Sequence, residues 1–430
     1  MSTSSENQAA PLRAAIVAVQ LPDADAETFA ASVAELHRLG RTLGVEVVAT
    51  LTQRRPSLDA AAVIGSGKLA ELVALAGEAA AAPIQVVLVD HDITPSQARN
   101  LEKATGVEVL DRTAVILEIF RRHARSRAAK AQVEIVRLQY LVPRLREQGR
   151  AKGGDRQRGG IGGKGAGESS LELDRRKIRD RIAELTRELE GFAEEQRTQR
   201  ARRRDMSRVA LVGYTNAGKS TLMRALTGSQ VYVADQLFAT LDTTVRPLYP
   251  PTHPRILISD TVGFIDKLPH GLVASFKSTL DEALEAGLLA QVIDASDPNF
   301  ERQLQVTTEV LAEIGAGDVP RLLVFNKIDR VGDASAEETA AAALRGRWPE
   351  ALVISARRPE DVARLHAHLV AFFARDLVEG EVRVGYDRQQ LRGEIFTWAE
   401  VLGERYEDDG VVFQVRARPD MLARWREQPS

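Results

Sequence analysis

The octet Gly213-Tyr214-Thr215-Asn216-Ala217-Gly218-Lys219-Ser220 lies between an apolar run, Val209 to Val212, and a helix-compatible run from Thr221 to Leu226. A strand, a glycine-rich turn and a helix, in that order, make an anion site. Gly213 and Gly218 let the backbone curl until successive N–H groups point into one concavity at a helix N-terminus. Lys219 brings a cation to the β- and γ-phosphates, and the Ser220 hydroxyl can ligate Mg2+. Together these residue types point to binding of a nucleoside triphosphate.

Three further stretches suit the same ligand. Phe238-Ala239-Thr240-Leu241-Asp242 leads through Thr243 and Thr244 into an expected strand, Val245 to Tyr249. A threonine here can complete a Mg2+ shell and sense the γ-phosphate, and spacing alone leaves Thr240, Thr243 and Thr244 as candidates. The expected strand Arg255 to Ser259 ends in Asp260-Thr261-Val262-Gly263. Asp260 can hold Mg2+ through water, and Gly263 offers an unobstructed N–H to the γ-phosphate. The expected strand Arg321 to Phe325 delivers Asn326-Lys327-Ile328-Asp329. A carboxylate at Asp329 accepts from both N1–H and the exocyclic amine of guanine, a pair that adenine lacks, while the Lys327 stem can cover the base. After a strand at Ala351 to Ile354, Ser355-Ala356-Arg357 can direct a backbone N–H at guanine O6. Such motifs, all at strand ends, belong on one edge of a parallel sheet.

The rest of the chain must position them. With 430 residues, about three domains is the expectation from length. Hydrophobic residues make up 44% and charged residues 27%, which fits a globular chain with sizeable cores. The absence of cysteine excludes a disulfide framework and Cys-ligated zinc. No apolar run approaches the ~20 residues of a membrane span, and Met1 to Ala10 does not resemble a signal peptide. A cytoplasmic protein is the expectation.

From Ala14 to Thr113, β-branched runs (Ala15 to Val19, Val45 to Leu51, Gln85 to Val89) alternate with helical patterns near Ala24 to Leu39, Lys68 to Ala81 and Pro95 to Ala104. That alternation predicts a small parallel sheet with helices on its faces. Within it, Gly65-Ser66-Gly67-Lys68 reads as a turn with its helix start rather than a phosphate site. Asp90-His91-Asp92 reads as a polar strand end before the Thr94-Pro95 helix start rather than a metal site.

Next, Ile135, Leu138, Val142 and Leu145 form one helical stripe and Ile178, Ile182, Leu185, Leu189 and Phe192 another, the pattern of an αα-hairpin. Between them, Gly149 to Gly167 holds nine glycines in nineteen residues, with Arg150, Lys152, Arg156, Arg158 and Lys164 against Asp155. No core can form there; a solvated linker is one reading, and five cations favour the other, a tip that orders on RNA phosphates. Beyond the nucleotide motifs, strands at Glu381 to Val384 and Val411 to Val415 around a helical stretch from Arg388 to Leu402 predict a small α+β appendage. The expected division is 1–120, a small N-terminal α/β domain; 121–205, a basic helical hairpin with a glycine-rich tip; 206–377, a Ras-like P-loop domain; and 378–430, a small C-terminal α+β domain.

With these residues in view, the chain resembles the HflX family of translation-associated GTPases from about Ala14 to Leu377. The resemblance rests on Asp90 to Asn100 (DHDITPSQARN), Val109 to Thr113 (VLDRT) and Gly159 to Gly163 (GGIGG) leading to Gly167-Glu168, besides the octet, Phe238 to Asp242 and Asp260 to Phe264. Two stretches depart from the family pattern: Lys164 to Ser170 reads KGAGESS where RGPGETQ is usual, and Asp155 to Arg158 is extra material. The resemblance implies Mg2+ on Ser220 and Thr240, with Lys219, Thr240 and Gly263 as the catalytic set and GTP and GDP as ligands. It also implies binding to the large ribosomal subunit and its RNA, subunit dissociation or rescue under stress, and ribosome-stimulated hydrolysis; a monomer with no DNA partner is the expectation. Phe264 stands where Ras-type GTPases carry the glutamine that orients the attacking water, so slow unassisted hydrolysis is expected. Two other functions fit parts of the pattern. One is an RNA-binding or remodelling factor merely modulated by nucleotide. The other is a GTP-dependent membrane or scaffold switch, weakened by the lack of an amphipathic anchor.

Overall fold

The computed structural model describes residues 11–77, 82–154, 166–201, 206–228, 236–268, 272 and 277–427. The chain divides into two compact units, residues 1–192 with 236–238 and 268–275, and residues 193–235, 239–267 and 276–430.

The first unit alternates strands and helices: β1 (Leu12–Gln20), α1 (Ala26–Leu43), β2 (Val45–Arg54), α2 (Ser66–Ala76), β3 (Val86–Val89), α3 (Pro95–Thr105), β4 (Glu108–Asp111) and α4 (Arg112–His123). The sheet is parallel in the order β2-β1-β3-β4. Both faces of β1 and β3 are buried, which is why those strands read as unbroken apolar runs. Helix starts follow local chemistry. Asp25 and Asp111 accept the N–H groups of Thr28 and Ala114, and Thr94 closes a capping box with Gln97 ahead of Pro95. The short β4 was not expected from sequence, because Glu108 to Asp111 offers only two apolar residues.

Helices α5 (Arg127–Gly154) and α6 (Ala166–Ala201) form the hairpin. Ala131, Ile135 and Leu185 are buried together, with Leu138, Ile182 and Leu189 against them, so the two stripes read in the sequence meet. The first helix runs past its expected end before Gly149. Arg150, Ala151 and Lys152 are good helix formers and carry it to the Gly153-Gly154 pair. Arg156, Arg158 and Lys164 of the expected basic tip lie outside the described residues.

The second unit contains β5 (Ser207–Gly213), α7 (Lys219–Thr227), β6 (Thr244–Pro247), β7 (Ile256–Asp260), α8 (Lys277–Leu284), β8 (Leu288–Asp294), α9 (Phe300–Glu313), β9 (Arg321–Asn326), α10 (Ala334–Arg347), β10 (Leu352–Val353) and α11 (Pro359–Ala374). Its six-stranded sheet has the order β10-β9-β8-β5-β7-β6, parallel except for β6. The core packs Val209 and Leu211 of β5 against Leu222, Met223 and Leu226 of α7 and Leu365 and Leu369 of α11. Strand order reverses between β5 and β8, the crevice in which open α/β sheets bind ligands.

An antiparallel sheet in the order β11-β13-β12 closes the chain, built from β11 (Val378–Gly385), β12 (Glu400–Glu407) and β13 (Gly410–Ala417), with α12 (Gln389–Trp398) and α13 (Pro419–Glu427). Helix α12 stops at Trp398, so the expected helical stretch to Leu402 is corrected. Ala399 turns extended, and Glu400 and Val401 pair with Arg416 and Val415 of β13, exchanging helical bonds for a ladder. The class is α/β with a small α+β C-terminal domain. Among the described residues, no helix is long and apolar enough to cross a membrane.

Candidate nucleotide site

Strand β5 ends at Gly213 with φ +149°, and the turn reaches α7 through Gly218 at φ +99°. Neither glycine is replaceable by a residue with a side chain. A Cβ on Gly213 would collide with the Val292 carbonyl of β8, and one on Gly218 with the Asn326 amide of β9. The loop is therefore pressed against two neighbouring strand ends while the first N–H groups of α7 remain available to an anion. Lys219 is buried and its ammonium donates to the carbonyls of Gly213 and Tyr214 at 3.0 and 2.9 Å. Burial pushes its pKa down to about 8, although Asp260 pulls the other way.

Ser220, Thr240 and Asp260 converge. The Ser220 hydroxyl donates to Asp260 Oδ2 at 2.8 Å and lies 2.8 Å from Thr240 Oγ1, which donates to the same oxygen at 3.0 Å. Asp260 is fully buried, and burial raises its pKa despite Lys219 and the two hydroxyls. Its second oxygen, Oδ1, makes no hydrogen bond within the usual distance and angle limits among the described residues. A buried, unsatisfied carboxylate oxygen beside two hydroxyls is a hard oxygen set of the kind Mg2+ takes, so the residues present fit that ion. Of the three candidate threonines, Thr240 is the one placed on Ser220 and Asp260.

Asn326 joins the loops of the base side. Its amide donates to the Ala217 carbonyl at 2.9 Å, and its carbonyl oxygen accepts from the Ala356 N–H at 3.0 Å. The next residue, Lys327, has φ +62° and donates to the Asn216 carbonyl at 2.6 Å and to Asp294 at 2.7 Å. Asp329 follows, half-buried, in a short 3-10 turn, Ile328–Arg330. The Ser355 to Arg357 loop is held by the Ser355 N–H on Asp361 at 2.7 Å and the Arg357 N–H on Ser355 Oγ at 3.2 Å. Asp294 was missed in the sequence. Its signal was present, an apolar run from Leu288 ending in a carboxylate, as at Asp260.

Other expected site residues support rather than face this cluster. Thr261 donates to the Leu211 carbonyl at 2.7 Å, and Leu241, Val262 and Ile328 are buried. Ala239, Asp242 and Thr221 are half-buried near their motif partners in sequence. Phe238 belongs to the first unit and packs edge-on against Phe120 at 4.5 Å between ring centroids. Phe264 is 2% exposed, so its ring presents nothing to a water.

In the N-terminal sheet the residues of the two weighed motifs have partners within the protein. Gly65 caps α2, and Lys68 pairs with Glu71 at 2.7 Å. Asp90 takes Ser32 and Arg112, Asp92 accepts from Thr113, and His91 Nε2 lies on the Val19 backbone. Among the described residues, no group of three or more His, Cys, Asp or Glu side chains is placed to hold a metal ion.

A phosphate loop on the central strand, a buried strand-end aspartate and an Asn-Lys-x-Asp turn on a mostly parallel sheet define a P-loop GTPase. Comparison with known proteins narrows this. Residues 30–121, 123–203 and 208–327 match the family models described as GTP-binding GTPase N-terminal, GTP-binding GTPase Middle Region and 50S ribosome-binding GTPase. The chain is 53% identical over 444 residues to GTPase HflX of Gluconacetobacter diazotrophicus, covering 96% of each. It is 39% identical over 389 residues to GTPase HflX of Escherichia coli, covering 89% of this chain and 88% of that one. A crystal structure of a GTP-binding protein from Sulfolobus solfataricus in complex with GDP is 25% identical, with a TM-score of 0.45, covering 83% of this chain and 99% of that chain. The chain belongs to the HflX family of GTPases. It binds GTP and GDP and hydrolyses GTP.

Proposed function

We propose that GTP binding and hydrolysis by this protein control its association with the large ribosomal subunit, and through it the dissociation or rescue of ribosomes under stress. The observation that carries the proposal is the match of residues 208–327 to the 50S ribosome-binding GTPase model within a chain of this family. At the site, the backbone of Gly213 to Ser220, with Thr221 behind it, cradles the phosphates, and Lys219 neutralises them. Ser220 and Thr240 would hold Mg2+, with Asp260 behind them. Bound there, the ion would offset negative charge on the β- and γ-phosphates.

Gly263 presents its N–H to the γ-phosphate. Asp329 reads guanine, the Lys327 stem covers the base, and the loop from Ser355 to Arg357 meets its carbonyl edge. Phe238 to Asp242 is the segment that orders with triphosphate, through Thr240. We assign the N-terminal α/β domain to 1–120, the hairpin and its basic tip to 121–205, the GTPase domain to 206–377 and the C-terminal domain to 378–430, in a cytoplasmic monomer. The tip contributes RNA phosphate contacts through its five cations.

Sedimentation of the purified protein with separate ribosomal subunits, in GMPPNP, in GDP and without nucleotide, tests the proposal. Co-sedimentation with the large subunit that strengthens in GMPPNP is expected. Equal binding in all three conditions would mean an RNA-binding factor that nucleotide does not control.

A further inference from the structure

The segment after Gly263 is fastened to the phosphate loop. The Phe264 N–H donates to the Gly213 carbonyl at 3.1 Å, and the Thr215 N–H donates to the Phe264 carbonyl at 2.6 Å. Two residues further on, the Asp266 N–H donates to the Tyr214 hydroxyl at 2.7 Å. Asp266 also pairs with Arg302 at 3.5 Å, and Lys267, at φ +56°, then turns the chain. Gly263 is thereby pinned between Asp260 on one side and this three-bond clasp on the other. There is no slack at Gly263, where a Cβ would come within 2.8 Å of Thr215 Cα and 3.1 Å of Lys219 Nζ.

Two of the three bonds are main chain to main chain and would form with almost any sequence. The third is supplied by a side chain, and it holds the far end of the segment. Tyr214 is 6% exposed, so its ring is held within the protein beside the loop.

We infer that Tyr214 is a positioning residue for triphosphate recognition: its hydroxyl latches the Phe264 to Asp266 segment to the phosphate loop and so fixes where the Gly263 N–H points. The inference rests on the reading that this N–H meets the γ-phosphate. The latch also gives Phe264 a task. Its backbone supplies both inner bonds and its ring is buried, so the segment is built to be held still.

Tyr214→Phe removes one oxygen and keeps the ring. A single neutral hydrogen bond corresponds to roughly a two- to tenfold change in an equilibrium, and the loss should fall on the triphosphate state. Equilibrium binding of fluorescent GDP and GMPPNP to the full chain is measured for the wild type, Tyr214→Phe and Gly263→Ala. Tyr214→Phe should lower the ratio of GMPPNP to GDP affinity about fivefold, and Gly263→Ala should lower it further. If Gly263→Ala collapses the ratio while Tyr214→Phe leaves it unchanged, the latch is overturned and the Gly263 reading survives. Equal weakening of both nucleotides by Tyr214→Phe likewise overturns the latch, since a bond that merely supports the loop acts on both. An unchanged ratio in Gly263→Ala overturns the Gly263 reading itself.

Discussion

Asp90 and Asp111 in the first unit stand at the ends of parallel strands, as Asp260 and Asp294 do in the second. Around the first pair the protein supplies its own charged partners for both carboxylates. Arg112, 2% exposed, donates to Asp90 at 2.8 Å and also pairs with Glu35. Asp111 accepts from Ala114, Tyr140 and Arg144, and burial still raises its pKa. Around Asp260 the protein stops short. Among the described residues one buried oxygen is left without a partner, and the neighbouring loop carries glycines whose Cβ atoms would strike Val292 and Asn326 at the ends of β8 and β9. A polar strand end alone is therefore weak evidence of a ligand site. Unsatisfied buried oxygen together with backbone brought into the open is much stronger.

The largest expected effect lies on the base side of the second site. Asp329→Asn turns an acceptor for guanine N1–H into a donor and should cost ~10⁴-fold in GTP affinity while favouring xanthine nucleotides. Competition binding with the two nucleotides measures it, and unchanged GTP affinity would remove Asp329 from the site. Next comes the charged network of the first unit. Arg112→Ala strands Glu35 and Asp90 without their cation and should destabilise that unit by about 3–5 kcal/mol. Calorimetry of the full chain should show one transition falling, with GDP affinity unmoved; a matching loss of affinity would mean the N-terminal cluster serves the nucleotide.

A third change opens the comparison from the other side. Ser220→Ala or Thr240→Ala should lower ribosome-stimulated hydrolysis by ~10²-fold or more through loss of the metal's electrostatic help. A Mg2+ titration of the rate should then show a raised requirement, and an unaltered titration would put the ion elsewhere. The smallest effect belongs to Phe264. Phe264→Gln should raise single-turnover hydrolysis by the free protein less than about threefold, because a side chain buried at that position does not reach the attacking water of a Ras-type site. A large gain would show that the segment can turn its side chain into the site.

The nucleotide motifs were legible because their chemistry dictates residue type. Only glycine fits at Gly213 and Gly218, and hydroxyl and carboxylate must meet at Ser220, Thr240 and Asp260. The paired hairpin stripes were equally clear, since Ile135 and Leu185 keep helical spacing. What escaped was set by tertiary partners. Strand β4 is held by β3 rather than by its own pattern, and Glu400 to Leu402 became strand because β13 lay alongside. Spacing did not choose among Thr240, Thr243 and Thr244; the family resemblance pointed to Thr240. Asp294 had a local signal, a carboxylate ending an apolar run, but its partner Lys327 is distant in sequence, as Asp266 is from the Tyr214 hydroxyl.

Single-turnover GTP hydrolysis, alone and with isolated large ribosomal subunits, tests the account most directly. With Phe264 buried and no water-orienting glutamine after Gly263, the free protein should turn over near the ~10⁻⁴ s⁻¹ of an unassisted Ras-type site. Large subunits should raise that rate by orders of magnitude, and small subunits should not. Fast hydrolysis by the free protein, or a rate indifferent to the large subunit, would contradict it.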